Sequence, residues 1–162
     1  MTGSENVRIL VVSDSHGDIL ALKNAVQSQS TAEVIVHLGD GADEAEEIRF
    51  DFPEKMMISV KGNCDFCCEK QAVEIFSVAG KKIFATHGHL YGVKGGIYRA
   101  VCAAREEGAD ILLFGHTHQP LEVYDDGLYI LNPGSLRNYI PTYGYVDITD
   151  KGIITNIVEL KR

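Results

Sequence analysis

Two imidazoles one residue apart, in Gly115-His116-Thr117-His118, directly follow the apolar run Ile111-Leu112-Leu113-Phe114. Such a run reads as a short buried strand, so both rings sit just past its end. Residues two apart on extended backbone point the same way, which lets His116 and His118 converge on one small volume. Gly115 leaves room where the backbone approaches whatever they hold. One His-x-His is weak evidence. Asp14-Ser15-His16, Gly39-Asp40, Gly62-Asn63 and Thr86-His87-Gly88-His89 strengthen it, each following an apolar run of its own.

The donors collected this way are Asp14, His16, Asp40, Asn63, His87, His116 and His118. They are too many nitrogen and oxygen ligands for one tetrahedral zinc and suit two adjacent ions of higher coordination number. A set without thiolate favours manganese, iron or zinc over soft metals and does not choose among them. Asp40, midway in the order of ligands, is the expected bridge, because one carboxylate can hold two cations. Two ions about 3.5–4 Å apart can share a water, lower its pKa and hold the hydroxide in line with a phosphorus atom. They also neutralise charge developing on phosphate oxygens. Metal-assisted hydrolysis of a phosphoester is the chemistry this predicts.

The elements positioning these groups follow from periodicity. Val7 to Ser13 contains Ile9-Leu10-Val11-Val12, a strand buried on both faces. A helix follows, with Ile19, Leu22 and Val26 on one face and Asp18 as N-cap. Val34 to Leu38 is the next strand. A short acidic helix capped by Asp43 comes after it, turning Ala45 and Ile48 inward and leaving Glu44, Glu46 and Glu47 solvated. Met56 to Val60 is a third strand. Strand, ligand loop, helix, repeated, is the pattern of a parallel sheet with functional groups at its C-terminal strand ends. Beyond Lys70, Val73–Val78 and Lys82–Thr86 read as a hairpin, and the glycine-rich Tyr91–Gly96 as a loop. A helix over Ile97–Glu107 precedes the Ile111 strand. Four further strands, Leu121–Tyr124, Leu128–Leu131, Tyr143–Ile148 and Ile153–Leu160, suggest an antiparallel sheet packed on the first half.

At 162 residues, with no linker or repeat, the chain fits a single domain spanning 1–162. A net charge of -8 argues against an extended nucleic-acid surface or an anionic membrane, while bound cations would still admit a small phosphoester. No apolar run has the length of a membrane span, and Met1–Asn6 lacks the basic-then-apolar pattern of a secretory signal, so the cytoplasm is the expected compartment. Cys64, Cys67, Cys68 and Cys102 are too clustered for a disulfide framework, and reduced thiols are expected rather than a redox or zinc role for Cys64-x-x-Cys67.

In order along the chain, Asp14-x-His16, Gly39-Asp40, Gly62-Asn63-x-Asp65, Thr86-His87-Gly88-His89 and Gly115-His116-Thr117-His118 resemble the calcineurin-like metallophosphoesterases. The short length and Asn132-Pro133-Gly134-Ser135 resemble the small prokaryotic phosphodiesterase branch, which is also similar to the retromer scaffold subunit. The resemblance covers nearly the whole chain. It implies an α/β fold of two packed mixed β-sheets flanked by helices, a four-layer α/β/β/α sandwich. It implies two divalent metal ions, Mn²⁺ first with Zn²⁺, Fe²⁺ or Ni²⁺ as alternatives, and a phosphodiesterase using a metal-bridging hydroxide. By resemblance Asp14, His16, Asp40 and His118 hold one metal, and Asp40, Asn63, His87 and His116 the other. Asn63, Asp65 and His87 are assigned to catalysis, Asp65 by orienting a neighbouring group. One position departs from the pattern: many relatives carry His after Gly-Asn, and this chain has Cys64. A neutral thiol is a poorer general acid than imidazole, which favours substrates whose leaving group needs little help.

Other residues carry simpler readings. His37, inside a strand, is expected to be structural, and His89 a supporting or substrate contact. Arg137 suits phosphate geometry, although exposed arginines are common. Asn132–Ser135 reads as a structural turn. Tyr139 and Tyr143 are candidates for stacking on a base or covering a subunit interface, and a homodimer stays open. A non-catalytic scaffold is the competing function, disfavoured because all seven ligands are present.

Overall fold

The computed structural model describes residues 6–161, so of the segment Met1–Asn6 read for a secretory signal all but Asn6 lies outside the described residues. Strand β1 (Val7–Val12) shows why its apolar run is unbroken: Ile9 and Val11 face one core, Leu10 and Val12 another, and all four are buried. It is followed by α1 (Ile19–Ser28), β2 (Val34–His37), α2 (Ala42–Asp51) and β3 (Met56–Ser59). The three strands pair in parallel, Val11 opposite Val36 and Val36 opposite Ile58. Asp18 caps α1, its carboxylate accepting from Ala21 N at 3.0 Å. Asp43 does not cap α2. The N-cap is Gly41, and Asp43 lies in the first turn beside Glu44, where its charge still complements the dipole.

The second half begins with the hairpin of β4 (Val73–Val78) and β5 (Lys81–Thr86), then α3 (Tyr98–Glu106), β6 (Ile111–Leu113), β7 (Leu121–Asp125), β8 (Leu128–Asn132), β9 (Thr142–Thr149) and β10 (Gly152–Glu159). It is not a separate antiparallel sheet. β9 returns to the first half and pairs antiparallel with β1, giving the order β10-β9-β1-β2-β3, while the other sheet runs β4-β5-β6-β8-β7. In that sheet β5, β6 and β8 are parallel. The physical reason is burial: every residue of β6 is buried, which suits a central strand covered on both faces, whereas β10, at an edge, has no fully buried residue and exposes Ile154, Asn156 and Glu159.

Ile9, Val11, Val36, Ile111, Leu113 and Val146 fill the space between the sheets. Leu22 and Val26 of α1 and Ile48 of α2 cover the outer face of the first sheet, on Leu10, Val12 and Ile35. Ala100 and Ala104 of α3 cover the second, on Phe84 and Leu112. The result is the four-layer α/β/β/α sandwich. Tyr143 belongs to this packing rather than to a ligand surface: its ring is buried, and its hydroxyl accepts from Gln29 Nε2 at 2.9 Å. Tyr139 is 96% exposed. Among the described residues no helix is long and apolar enough to cross a membrane.

Candidate metal centre

Each of the seven donors lies just beyond the C-terminal end of a strand that runs parallel within its sheet. Asp14 and His16 follow β1, Asp40 follows β2, Asn63 follows β3, His87 follows β5, and His116 and His118 follow β6. The loops are knitted together by backbone hydrogen bonds, Asp14 N to Gly39 O at 3.0 Å, His16 N to Asp40 O at 2.9 Å and Gly115 N to His87 O at 2.9 Å. Asp14, His16, Asp40, His116 and His118 all have φ between 43° and 71°. That is the left-handed region, which costs side-chain-bearing residues and persists only where the surroundings over-determine it. Here it accompanies side chains gathered at one end of the sandwich, with His116 and His118 on left-handed rather than extended backbone.

Three overlapping donor groups result, one of them His16 and Asp40 with the Cys64 thiol, and the other two built of nitrogen and oxygen donors alone. Asp14, His16 and His118 form one, and Asp40, His87 and His116 the other, the ligand atoms of each lying within 4.8 Å of one another. Asp14 Oδ1 is 3.1 Å from His118 Nε2 and 3.4 Å from His16 Nε2. Asp40 Oδ2 is 3.3 Å from His87 Nε2 and 3.7 Å from His16 Nε2, which places this carboxylate between the groups. Asn63 Oδ1 is 2.9 Å from His87 Nε2, and His116 Nδ1 is 3.1 Å from it. His87 Nδ1 donates to Leu38 O at 2.7 Å, so in the neutral ring Nε2 carries a lone pair facing these acceptors. Lone pairs of carboxylate, carboxamide and imidazole crowded this closely are a donor set that fits divalent cations.

The charges agree with that chemistry. Burial opposes ionisation of Asp40, but His87 and the Cys64 N–H, which donates to Oδ1 at 2.7 Å, hold it well below the usual carboxylate range. Burial, and then the neighbouring His87, push His116 and His89 down toward the neutral form. Burial also lowers His87, yet Asp40 and Asp14 beside it outweigh that and raise it.

Asp65 acts on backbone amides of the loops around it rather than facing the donor groups. Its buried carboxylate accepts from four backbone amides: Asp40 N and Gly62 N at 2.8 Å, Gly41 N and Ala42 N at 3.0 Å. It caps α2 from a distance and holds the Asp40 loop against the Asn63 loop. His37 is structural as expected, fully buried, with Nε2 2.9 Å from Ser15 Oγ and Nδ1 accepting from Gly39 N. Asn132 and Ser135 tie the site together. Asn132 Nδ2 donates to Thr117 Oγ1 at 2.9 Å and Gly115 O at 3.2 Å, and Ser135 Oγ donates to Asp14 O at 2.8 Å. Sequence reasoning missed Ser13, whose hydroxyl donates to Asp14 Oδ2, and Glu44, which accepts from Ser15 Oγ and Gly17 N. No local pattern marks either residue.

The three candidate substrate contacts all border the centre. Cys64 is exposed beside Asp40, and burial together with the Asp40 and Asp65 charges pushes its thiol up, away from the reactive thiolate that a redox role requires. His89 stands 5.4 Å, ring to ring, from His87, with a buried Nδ1 that has no hydrogen-bond partner among the described residues. Arg137 reaches the loop carbonyl of His16 at 3.3 Å and is otherwise exposed.

A two-sheet sandwich with convergent nitrogen and oxygen donors at its shared strand ends is a metallohydrolase architecture. The chain belongs to the calcineurin-like phosphoesterase superfamily, whose domain matches residues 7–151. It is 34% identical over 132 residues to a probable metallophosphoesterase, YsnB, of Bacillus subtilis, covering 81% of this chain and 76% of that protein. It is 26% identical to the phosphodiesterase YfcE of Escherichia coli, covering 93% and 97%. Among solved structures, a predicted phosphoesterase from Streptococcus pneumoniae superposes with a TM-score of 0.79 at 30% identity, covering 96% of this chain and 90% of that one. Vacuolar protein sorting 29 from Cryptosporidium parvum superposes with a TM-score of 0.73 at 14% identity, covering 97% and 99%, a likeness of fold.

Proposed function

We propose that this protein is a two-metal phosphodiesterase acting on a small phosphoester, its single domain holding one ion with Asp14, His16, Asp40 and His118 and the other with Asp40, Asn63, His87 and His116. The observation carrying this reading is the position of Asp40, within 3.7 Å of His16 Nε2 on one side and 3.3 Å of His87 Nε2 on the other. Divalent ions held there, with Mn²⁺ first and Zn²⁺, Fe²⁺ or Ni²⁺ as alternatives, supply activation of water and neutralisation of phosphate charge. The protein's own groups do the rest. Leu38 O fixes the His87 ring, Asp65 holds the Asp40 and Asn63 loops in register, and Asn138 Nδ2 donates to His118 O at 2.7 Å to steady that loop. Cys64, a weak acid, leaves the departing alcohol with little help, so diesters with good leaving groups are the best substrates.

The test is hydrolysis of bis-p-nitrophenyl phosphate and p-nitrophenyl phosphate by metal-stripped protein with and without Mn²⁺. Metal-restored cleavage of the diester, with weaker cleavage of the monoester, is expected. Asp40→Asn and His116→Ala should abolish it while the fold persists; turnover retained in both variants would sink the reading. Likeness to Vps29 supports a scaffold as the second reading. Partner binding that survives metal removal, with no hydrolysis of either ester, would favour it.

A further inference from the structure

On the side of His16, Asp40 and Cys64 the donor cluster opens into a cleft of about 760 Å³, walled by the first turn of α2 and by residues 64–70. Cys64 is a free, exposed thiol on that wall. Its Sγ, one imidazole nitrogen of His16 and one carboxylate oxygen of Asp40 all lie within 4.8 Å of one another. Two hydrogen bonds hold the sulfur there. Cys64 N donates to Asp40 Oδ1 at 2.7 Å, and Asn63 Nδ2 donates to Cys64 Sγ at 3.4 Å. The Asn63 carboxamide thus turns its oxygen to His87, at 2.9 Å from Nε2, and its N–H to the sulfur, which accepts as a ligand atom does. Among the described residues neither Cys67 nor Cys68 belongs to any such group, so the Cys-x-x-Cys spacing does not account for the placement. Ligand atoms around a tetrahedral zinc lie about 3.3–3.7 Å apart. A small rotation of an exposed thiol covers the difference.

Resting on the two-metal reading, we infer that Cys64 is a conditional ligand, joining His16 and Asp40 around a thiophilic divalent ion and staying off Mn²⁺. Softness is the reason: thiolate suits zinc-like ions, whereas carboxylate and water suit manganese. On ligation the sulfur–hydrogen bond breaks as the sulfur–metal bond forms, and the proton goes to solvent. The cation's charge outweighs the Asp40 and Asp65 charges that favour the thiol in its absence. Because Cys64 lines the cleft, its sulfur takes a position that a catalytic ion leaves open for water. The thiol therefore sorts ions, holding soft ones more tightly and leaving hard ones the more open arrangement.

The probe is Co²⁺ added to the metal-stripped full chain. Visible d–d absorption reports that the ion is bound, and a sulfur-to-cobalt charge-transfer band in the near ultraviolet reports that sulfur ligates it. The band is expected in the unmodified protein and in Cys67→Ser and Cys68→Ser. It should vanish in Cys64→Ser and Cys64→Ala while the d–d absorption stays. In competition titrations the same two variants should weaken Cd²⁺ by at least about tenfold and change Mn²⁺ far less. Bound Co²⁺ without the band in the unmodified protein, or a band that survives loss of Cys64, overturns the inference and leaves the phosphodiesterase reading standing. An unmodified chain that binds neither Co²⁺ nor Mn²⁺ overturns both.

Discussion

Asp40 and Asp65 lie on facing loops and do different work. Asp40 turns its carboxylate to imidazoles, whereas Asp65 turns its own to four amides. Asp65→Ala leaves those amides buried without an acceptor and should destabilise the protein by about 3 kcal/mol, read as a lowered urea midpoint. Asp65→Asn, keeping one acceptor oxygen, should recover part of that loss. His37 gives a pH signature. Burial lowers its pKa, so the folded chain keeps it neutral while the unfolded chain protonates it below about pH 6.5. The unfolded state then binds the extra proton, and stability falls as pH falls, by about 1.4 kcal/mol per pH unit. Urea melts of chelated protein between pH 7 and 5 should show this slope, and His37→Gln should remove about one proton from it. Asp40 works in the opposite range: its depressed pKa contributes stability that is present above about pH 4 and lost only in stronger acid.

At the scale of elements, the site is made by how closely the strand-end loops approach. A Cβ on Gly62 would strike Asp40 Oδ1 and lie 2.5 Å from Asp40 N. A Cβ on Gly115 would overlap Ser13 Oγ and lie 2.9 Å from Asp14 Oδ2. Each glycine spaces a carboxylate from its neighbours. Gly62→Ala should cost about 1–3 kcal/mol of stability. It should also lower metal affinity by about 10–100-fold, by displacing the groups that orient Asp40. Titration calorimetry with Mn²⁺ measures the second effect. An unchanged affinity would show that the Asp40 loop tolerates the shift.

Across the whole molecule, each of the two nitrogen and oxygen donor groups draws on both sheets: Asp14 and His16 from one with His118 from the other, Asp40 from one with His87 and His116 from the other. An ion held by either group would therefore cross-link the two sheets of the sandwich. Any ion that binds the folded chain alone stabilises it by mass action, about 2.7 kcal/mol at a hundredfold excess over Kd. Thermal melts should rise by several degrees with Mn²⁺ and fall back with chelator. Asp40→Asn should reduce that shift strongly, because this carboxylate lies 3.3 Å from His87 Nε2 and 3.7 Å from His16 Nε2.

The strands, the three helices and the seven candidate donors at the strand ends were legible in the sequence because each is a local statement. A doubly buried strand is a continuous apolar run such as Ile9–Val12, a helix is a stripe such as Leu22 and Val26, and metal chemistry restricts ligands to a few residue types at strand ends. Tertiary structure decided what depends on partners distant in sequence. β9 lies beside β1, fastened by Arg8 and Asp147 at 2.8 Å across 139 positions, and no periodicity in 142–149 names that neighbour. Which group Asp65 orients was set by Asp40, 25 residues away, which presents its N–H there. Tyr143 went to the core, and Phe66 stayed in water above a cleft bounded by α2. Residue type and spacing determine which groups can do chemistry; which of them meet is set by non-local packing, where side chains contribute through shape and hydrogen bonds that the local pattern does not carry.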